Sequence, residues 1–355
     1  MSADSEMSTT PIAAATRHAD DGIPYGEHIV SNIALFGASG AIGQSIATAL
    51  RAQQRPYRVV GRSEKSLFHT FGADPLADIM TWNPDDPSSV RAAAHGVDTL
   101  IYMVGVNYCE FAQHPRLMQQ TLDGAIAAGV KRIVLIGTVY PYGRPQTTPV
   151  REDHSRTPNS FKGRMRKAQE DMLLEAHAAG KIEATVLRLP DFYGPGVDKS
   201  LLHAAFQAAI NGGVADMVGP IDKPHEFVFV PDVGPVVARL ADTPEAYGRC
   251  WHLAGAGVTS QRAIVNEIER QTGKPLHLRV AGKTMLRVLG LFKPFIREMV
   301  EMHYLLTKPV LMDDTALQEL IGPISKTSYE DGVRQCLEAV RAAAEAKPQG
   351  AMHLA

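Results

Sequence analysis

The chain has 355 residues, 45% of them apolar and 21% charged, with a formal net charge of -2. A chain of this length buries at least one large core, and an ordinary globular composition excludes both a largely disordered chain and a membrane-embedded class. The near-neutral balance offers no overall electrostatic reason to expect nucleic acid or an anionic membrane as partner, and no apolar run reaches the roughly 20 residues that a crossing helix needs.

In chain order, residues 1–28 are rich in Ser, Thr, Ala and Asp and lack the basic start and apolar stretch of a signal peptide, so they read as a disordered tail. Over 29–190, short apolar runs alternate with helix-length amphipathic segments. Strands are predicted near Asn32 to Phe36, Tyr57 to Val60, Ile79 to Trp82, Thr99 to Val104, Arg132 to Ile136 and Ala184 to Leu189, and helices near Ile42 to Ala52, Pro87 to Ala94, Arg116 to Ala128 and Gly163 to Ala178. This is the pattern of an α/β Rossmann domain with a doubly wound parallel sheet.

Over 191–345 the alternation loosens. Strand-like His225 to Val230 and Cys250 to Leu253 are interleaved with helices near Leu201 to Asn211, Val233 to Ala241 and Arg262 to Gln271. A smaller C-terminal α/β substrate lobe, interleaved with the Rossmann core, is expected to cover the carboxyl ends of the strands, where ligands bind in open sheets. Met285 to Leu311 carry more apolar side chains than one amphipathic stripe requires. A helix pair packed on the lobe accounts for them; an apolar lid over a lipophilic substrate is the alternative. Residues 346–355 read as a flexible tail.

The segment Gly37-Ala38-Ser39-Gly40-Ala41-Ile42-Gly43 joins the first strand to the first helix. Gly37 permits the tight turn, Gly40 lets backbone approach a pyrophosphate, Gly43 lets the helix pack closely, and the helix start offers free amides to the anion. At the end of the second strand, where an acidic residue holds the ribose of NAD, stands Arg62, followed by Ser63. A guanidinium there pairs with a 2′-phosphate, so the expected cofactor is NADP(H). Cys109, Cys250 and Cys336 are odd in number and in no metal-ligand spacing, which predicts a reducing, cytoplasmic setting with no metal site.

These motifs, with Asn83 after the third strand, Val104-Gly105 after the fourth, Thr138-Val-Tyr-Pro-Tyr142-Gly143 and Leu187-Arg-Leu-Pro190-Asp-Phe-Tyr-Gly194, resemble the extended branch of the short-chain dehydrogenase/reductase superfamily, which includes epimerases and dehydratases. The resemblance implies that Asn83, Val104, Gly105 and Pro190 line the cofactor and that Thr138 is the family's hydroxyl residue. It also implies a homodimer formed through the helices Arg116 to Ala128 and Gly163 to Ala178.

The family's Tyr-x-x-x-Lys is missing. The matching helix puts Lys162 in the tyrosine position and Arg166 in the lysine position; a register one residue later gives Gly163 and Lys167. Arg166 can hold ribose hydroxyls but cannot exchange protons at neutral pH. Lys162 is a possible acid if burial and the neighbouring cation lower its pKa, or else part of a basic helix start. Tyr140, Tyr142 and Tyr193 are displaced phenols that could serve instead.

The expected function is NADP(H)-dependent oxidoreduction of a small, fairly apolar carbonyl, alcohol or activated alkene, with no nucleic-acid or membrane partner. The alternatives are an epimerase or dehydratase using NAD(P) transiently on a sugar nucleotide, and a catalytically silent NADP(H) sensor.

Overall fold

In the computed structural model, which describes residues 32–346, β1 (Ile33–Phe36) turns Ile33 and Leu35 to one face of a sheet and Ala34 and Phe36 to the other, all four buried. Burial on both faces is why the strand is apolar throughout. β2 (Tyr57–Gly61), β3 (Ala77–Thr81), β4 (Thr99–Tyr102), β5 (Arg132–Thr138) and β6 (Glu183–Leu189) follow, and every pairing in this sheet is parallel. Further on come β7 (Asp191–Tyr193), β8 (Val214–Val218), β9 (Phe227–Phe229), β10 (Cys250–His252) and β11 (His277–Ala281).

The main sheet has seven strands in the order β10-β6-β5-β4-β1-β2-β3. The segment at Cys250, expected in the lobe, is its outermost strand, paired to β6. Helices α1 (Ala41–Ala52), α2 (Glu64–Phe71), α3 (Pro87–Ala94), α4 (Gln113–Ala128) and α5 (Phe161–Ala178) connect the first six strands. Side chains of α3, α4 and α5 fill one face of the sheet; those of α1, α2 and the later α7 (Val230–Asp242) fill the other. So α7 also belongs to the Rossmann layers: a Cβ on Gly234 would lie 2.2 Å from the carbonyl oxygen of Ser45 in α1, and the two helices pack nearly backbone to backbone.

The lobe has its own core, built from α6 (His203–Asn211), the β8–β11 pair, α8 (Gln261–Thr272) and the long α13 (Tyr329–Glu345), which covers residues up to 345. Between β11 and α13 lie α9 (Lys283–Gly290), α10 (Pro294–Met302), α11 (Tyr304–Thr307) and α12 (Thr315–Ile321). The expected tail over 1–28 and nearly all of 346–355 lie outside the described residues.

A polar network crosses the interior beneath the mouth of the sheet. Arg188 of β6 and Glu170 of α5 form an ion pair at 2.6 Å, both almost wholly buried. Arg188 also donates to the Tyr142 hydroxyl at 2.6 Å, and that hydroxyl meets Nε2 of His252 at 2.5 Å, while Nδ1 of His252 lies 3.1 Å from the carbonyl oxygen of Asp313. Burial and the Arg188 charge push the His252 pKa down to about 3, so the ring is neutral, with Nδ1–H donating and Nε2 accepting.

A histidine depressed from 6.5 to about 3 contributes stability that is whole above pH 6.5 and is lost as the pH falls towards 3, because only the unfolded chain takes up the proton. In urea melts, the stability advantage of the wild type over His252→Asn should shrink by about 2 kcal/mol between about pH 7 and about pH 5. A difference independent of pH contradicts the neutral, buried assignment.

Candidate functional site

The sheet order reverses between β1 and β4: the chain runs β1, β2, β3 to one side and β4, β5, β6 to the other. Ligand crevices of open α/β sheets open at such a switch point. Gly37 sits there with φ +92°, its N–H bonded to the Val60 carbonyl at 2.9 Å. A Cβ on it would come within 2.9 Å of the Met103 carbonyl oxygen, so the loops after β1 and β4 touch and admit no side chain between them. Gly43 brings α1 onto buried Ala38, whose carbonyl oxygen would lie 2.2 Å from an added Cβ.

Gly40 behaves differently. It is exposed, its nearest neighbour to an added Cβ is 3.8 Å away, and as N-cap of α1 it supplies no side-chain cap. Exposed Ser39 and half-exposed Ala41 and Ile42 complete the turn, and no acid stands in the first turn of α1. Open space in front of an uncapped helix start, with its free amides and positive dipole end, fits a pyrophosphate.

Arg62, exposed just past β2, makes no ion pair among the described residues. The Ser63 hydroxyl accepts from the Ser66 N–H and caps α2, a helix that sequence periodicity did not reveal. Asn83 is exposed after β3, its side-chain oxygen accepting from the Asp85 N–H at 3.0 Å. Val104 is buried after β4, and Gly105 faces open space where a Cβ would stand. Pro190 is buried at the end of β6.

The mouth beside this crevice is formed by the loops after β4, β5 and β6. Thr138 ends β5 half-exposed, and its hydroxyl oxygen accepts from the Tyr140 N–H at 3.3 Å. Tyr140 opens a single 3-10 turn, Tyr140–Tyr142, and its phenol lies near that of Tyr108. Burial and the negative charge of Asp191 push the Tyr140 pKa up to about 12, against the pull of Tyr108 and of the Arg166 cation. Asp191 is itself 2.7 Å from Nε2 of buried His225.

Helix α5 places the remaining residues. Ser160 caps it by accepting from the Gly163 N–H at 3.0 Å, and Gly163 lets the helix start approach the Tyr140 carbonyl, which would lie 2.7 Å from an added Cβ. Arg166 is turned inward, donating to the Ile136 carbonyl at 3.0 Å and lying 3.3 Å from Nδ1 of His114. Burial and that cation push the His114 pKa down to about 3, so His114 accepts as a neutral ring.

Lys162 has no solvent exposure. Its ammonium lies 2.5 Å from Glu298 and 3.0 Å from Glu301 of α10, over the rings of Tyr108 (4.9 Å) and Phe111 (5.6 Å). Tyr142 and Tyr193 are fully buried: Tyr142 is engaged by Arg188 and His252, and Tyr193 packs on Gly332 of α13. Lys167, the lysine of the alternative register, pairs with Asp171 at 2.6 Å on the half-exposed side of α5.

Among the expected catalytic residues, then, Thr138 lies at the mouth, Arg166 beneath it, and Lys162 and Tyr142 are turned into the protein. Tyr108, Asp191 and His225 were missed. Asp191 stood inside a quoted motif, directly after Pro190; His225 lies 34 residues further on and has no local signal. A cleft of about 690 Å³ lies elsewhere and is lined by Glu226, Gly255, Val258, Asp314 and Lys326.

The model of the NAD dependent epimerase/dehydratase family matches residues 33–250. The dTDP-6-deoxy-L-talose 4-dehydrogenase (NAD(P)(+)) of Kitasatospora kifunensis is 24% identical over 266 residues, spanning 70% of this chain and 81% of that protein. The 2'-dehydrokanamycin reductase of Streptomyces kanamyceticus is 25% identical over 254 residues, spanning 69% and 68%. Among solved structures, a double mutant of the dTDP-glucose 4,6-dehydratase DesIV from Streptomyces venezuelae, with NAD bound, has a TM-score of 0.75 at 17% identity over 87% of this chain and 96% of that one. With its glycine turn at the switch point and a family match over more than half its length, the chain belongs to the NAD dependent epimerase/dehydratase family, in the extended short-chain dehydrogenase/reductase branch.

Proposed function

We propose that this protein is an NADP(H)-dependent oxidoreductase that interconverts an alcohol and a ketone on a sugar-type substrate. The observation that carries this reading is the uncapped start of α1, with open space at Gly40, next to a mouth that holds Thr138 and Tyr140. The substrate class rests on the two curated relatives, whose names describe a deoxytalose dehydrogenase and a kanamycin-type reductase. It replaces the small apolar substrate expected from the sequence. Aromatic Tyr108 and Tyr140 beside Asp191 and His225 present both an apolar face and hydrogen-bonding groups, which suits a sugar ring.

A nicotinamide cofactor held at the crevice would give or accept hydride; the chain supplies positioning and the proton. Backbone amides of residues 40–42 hold the pyrophosphate, and Arg62 binds a 2′-phosphate. Thr138 hydrogen-bonds the substrate oxygen. Tyr140, a phenol at neutral pH, donates its proton to that oxygen as the ketone is reduced and recovers it in the reverse direction. Asp191 and Arg166 act on the phenol with opposite charges, so Arg166 is a positioning residue. Tyr142 anchors the turn that carries Tyr140, and Lys162 fastens α10 through its two carboxylates.

In steady-state assays on a sugar-alcohol panel, Tyr140→Phe should lower kcat by about 100-fold or more while NADPH affinity stays within about twofold. Lys162→Met should leave the pH profile of kcat in place; a lost ionisation in that variant, with Tyr140→Phe near wild type, assigns the proton to Lys162 instead. Nicotinamide absorbance should rise in turnover of the alcohols as NADP+ takes up hydride, and fall when NADPH reduces the matching ketones, whereas constant absorbance with product formed identifies internal redox. Arg62→Glu should weaken NADPH about tenfold or more relative to NADH, and an unchanged ratio removes the 2′-phosphate contact.

A further inference from the structure

The apolar density at Met285 to Leu311 divides into two parts. Met302, Tyr304, Leu305, Val310 and Met312 pack with Val139, Tyr142 and Val150, as a structural helix pair should. The hairpin of α9 and α10 does not follow suit. Leu286 and Gly290 face inward, and Gly290 lets α9 meet the Arg297 backbone at 2.9 Å from an added Cβ. Met285, Val288, Leu291, Phe292 and Phe295 stand outward, Leu291 and Phe292 at 80% and 81% exposure.

The charges around them are one-sided. Residues 282–297 hold Lys283, Arg287, Lys293 and Arg297 and no acid, and all four cations are exposed. Lys283 and Arg287 lie one helical turn apart along the flank of the stripe that Met285 and Val288 begin. Acids beside the hairpin are engaged: Glu298 by Lys162 at 2.5 Å and, more loosely, by exposed Arg297 at 3.8 Å, and Asp216 of β8 by Arg279 at 2.5 Å, while Lys283, Arg287 and Lys293 make no ion pair among the described residues. The chain's overall charge of -2 hides this local excess.

We infer that the α9–α10 hairpin is a foot that rests on an anionic lipid bilayer, with Leu291, Phe292 and Phe295 inserted among the acyl chains and the four cations at the headgroups. Apolar side chains flanked by exposed cations are the composition of a helix lying in a membrane interface. The two helices, with 8 and 9 residues, reach only about 12 and about 14 Å against a hydrocarbon core of about 30 Å, so the foot lies on the bilayer and does not cross it. A second copy of the chain is a poor occupant, because a two-fold contact through this face would set four cations against four. The foot also touches the mouth of the site: the Phe295 ring lies 5.8 Å from that of Tyr108, and Glu298 and Glu301 of the same helix hold Lys162. The inference does not depend on the activity proposed above.

The test is sedimentation of the full-length protein with vesicles of phosphatidylcholine alone or with about one-third phosphatidylglycerol. Binding is expected only to the anionic vesicles, and it should fall steeply in about 0.5 M salt. Lys283→Glu with Arg287→Glu should weaken it about tenfold or more, and Leu291→Ser with Phe292→Ser should abolish it, with melting temperatures unchanged because these side chains are exposed. Since Trp82 and Trp251 are buried, Phe292→Trp adds an exposed reporter whose emission should shift to the blue on anionic vesicles. Wild-type protein left in the supernatant with anionic vesicles overturns the inference, as does binding that survives both double substitutions. Loss of self-association in Leu291→Ser with Phe292→Ser, without any vesicle binding, assigns the patch to a second copy.

Discussion

The buried ion pair of Glu170 and Arg188 fixes α5 against β6, and the rest of the site depends on where that helix points its side chains. Breaking such a pair by removing one partner costs about 3–5 kcal/mol, since it strands a charge in the interior. With the helix held there, Lys162 and Arg166 lie on the same inward face as Glu170, at helical spacing, and all are buried. The positions that the family resemblance matches to a tyrosine and a lysine are here two interior cations. Each has found partners: two carboxylates of α10 for Lys162, a carbonyl and a neutral histidine for Arg166.

In the proposed reading, proton chemistry belongs to the turn after β5 and not to the helix. Gly163 allows α5 to press against the Tyr140 carbonyl, and Tyr142, bonded to Arg188 and His252, pins the other end of the same turn. The phenol of Tyr140 is thereby held between Tyr108, Asp191 and the field of Arg166. The network beneath the mouth therefore has a mechanical part: it sets the place of a group it does not itself touch.

How much of this the sequence disclosed depended on whether the cause was local. The turn at Gly37 to Gly43 was legible because a tight turn, a close approach and an uncapped helix start are all written within seven residues. The sheet was legible because strands buried on both faces are apolar throughout. Helix α5 was found, but its inward face was not: that face carries Lys162, Arg166, Gln169 and Glu170, so apolar periodicity pointed nowhere useful. The meeting of Asp191 with His225, and of Lys162 with Glu298 and Glu301, joins segments far apart in the chain, and such pairings have no local signature. The strand Cys250–His252 was recognised as a strand but assigned to the lobe, because its partner β6 is more than sixty residues upstream.

The central claim is that the start of α1 is left open to receive a dinucleotide, and a fluorescence titration of the purified full-length chain with NADPH, beside Gly40→Asp, tests it most directly. Gly40 has room for a side chain, so the variant should fold as the wild type does, while its carboxylate occupies the phosphate position. The account predicts saturable binding by the wild type, reduced about a hundredfold or more in Gly40→Asp. No binding by the wild type, or equal binding by both, contradicts it.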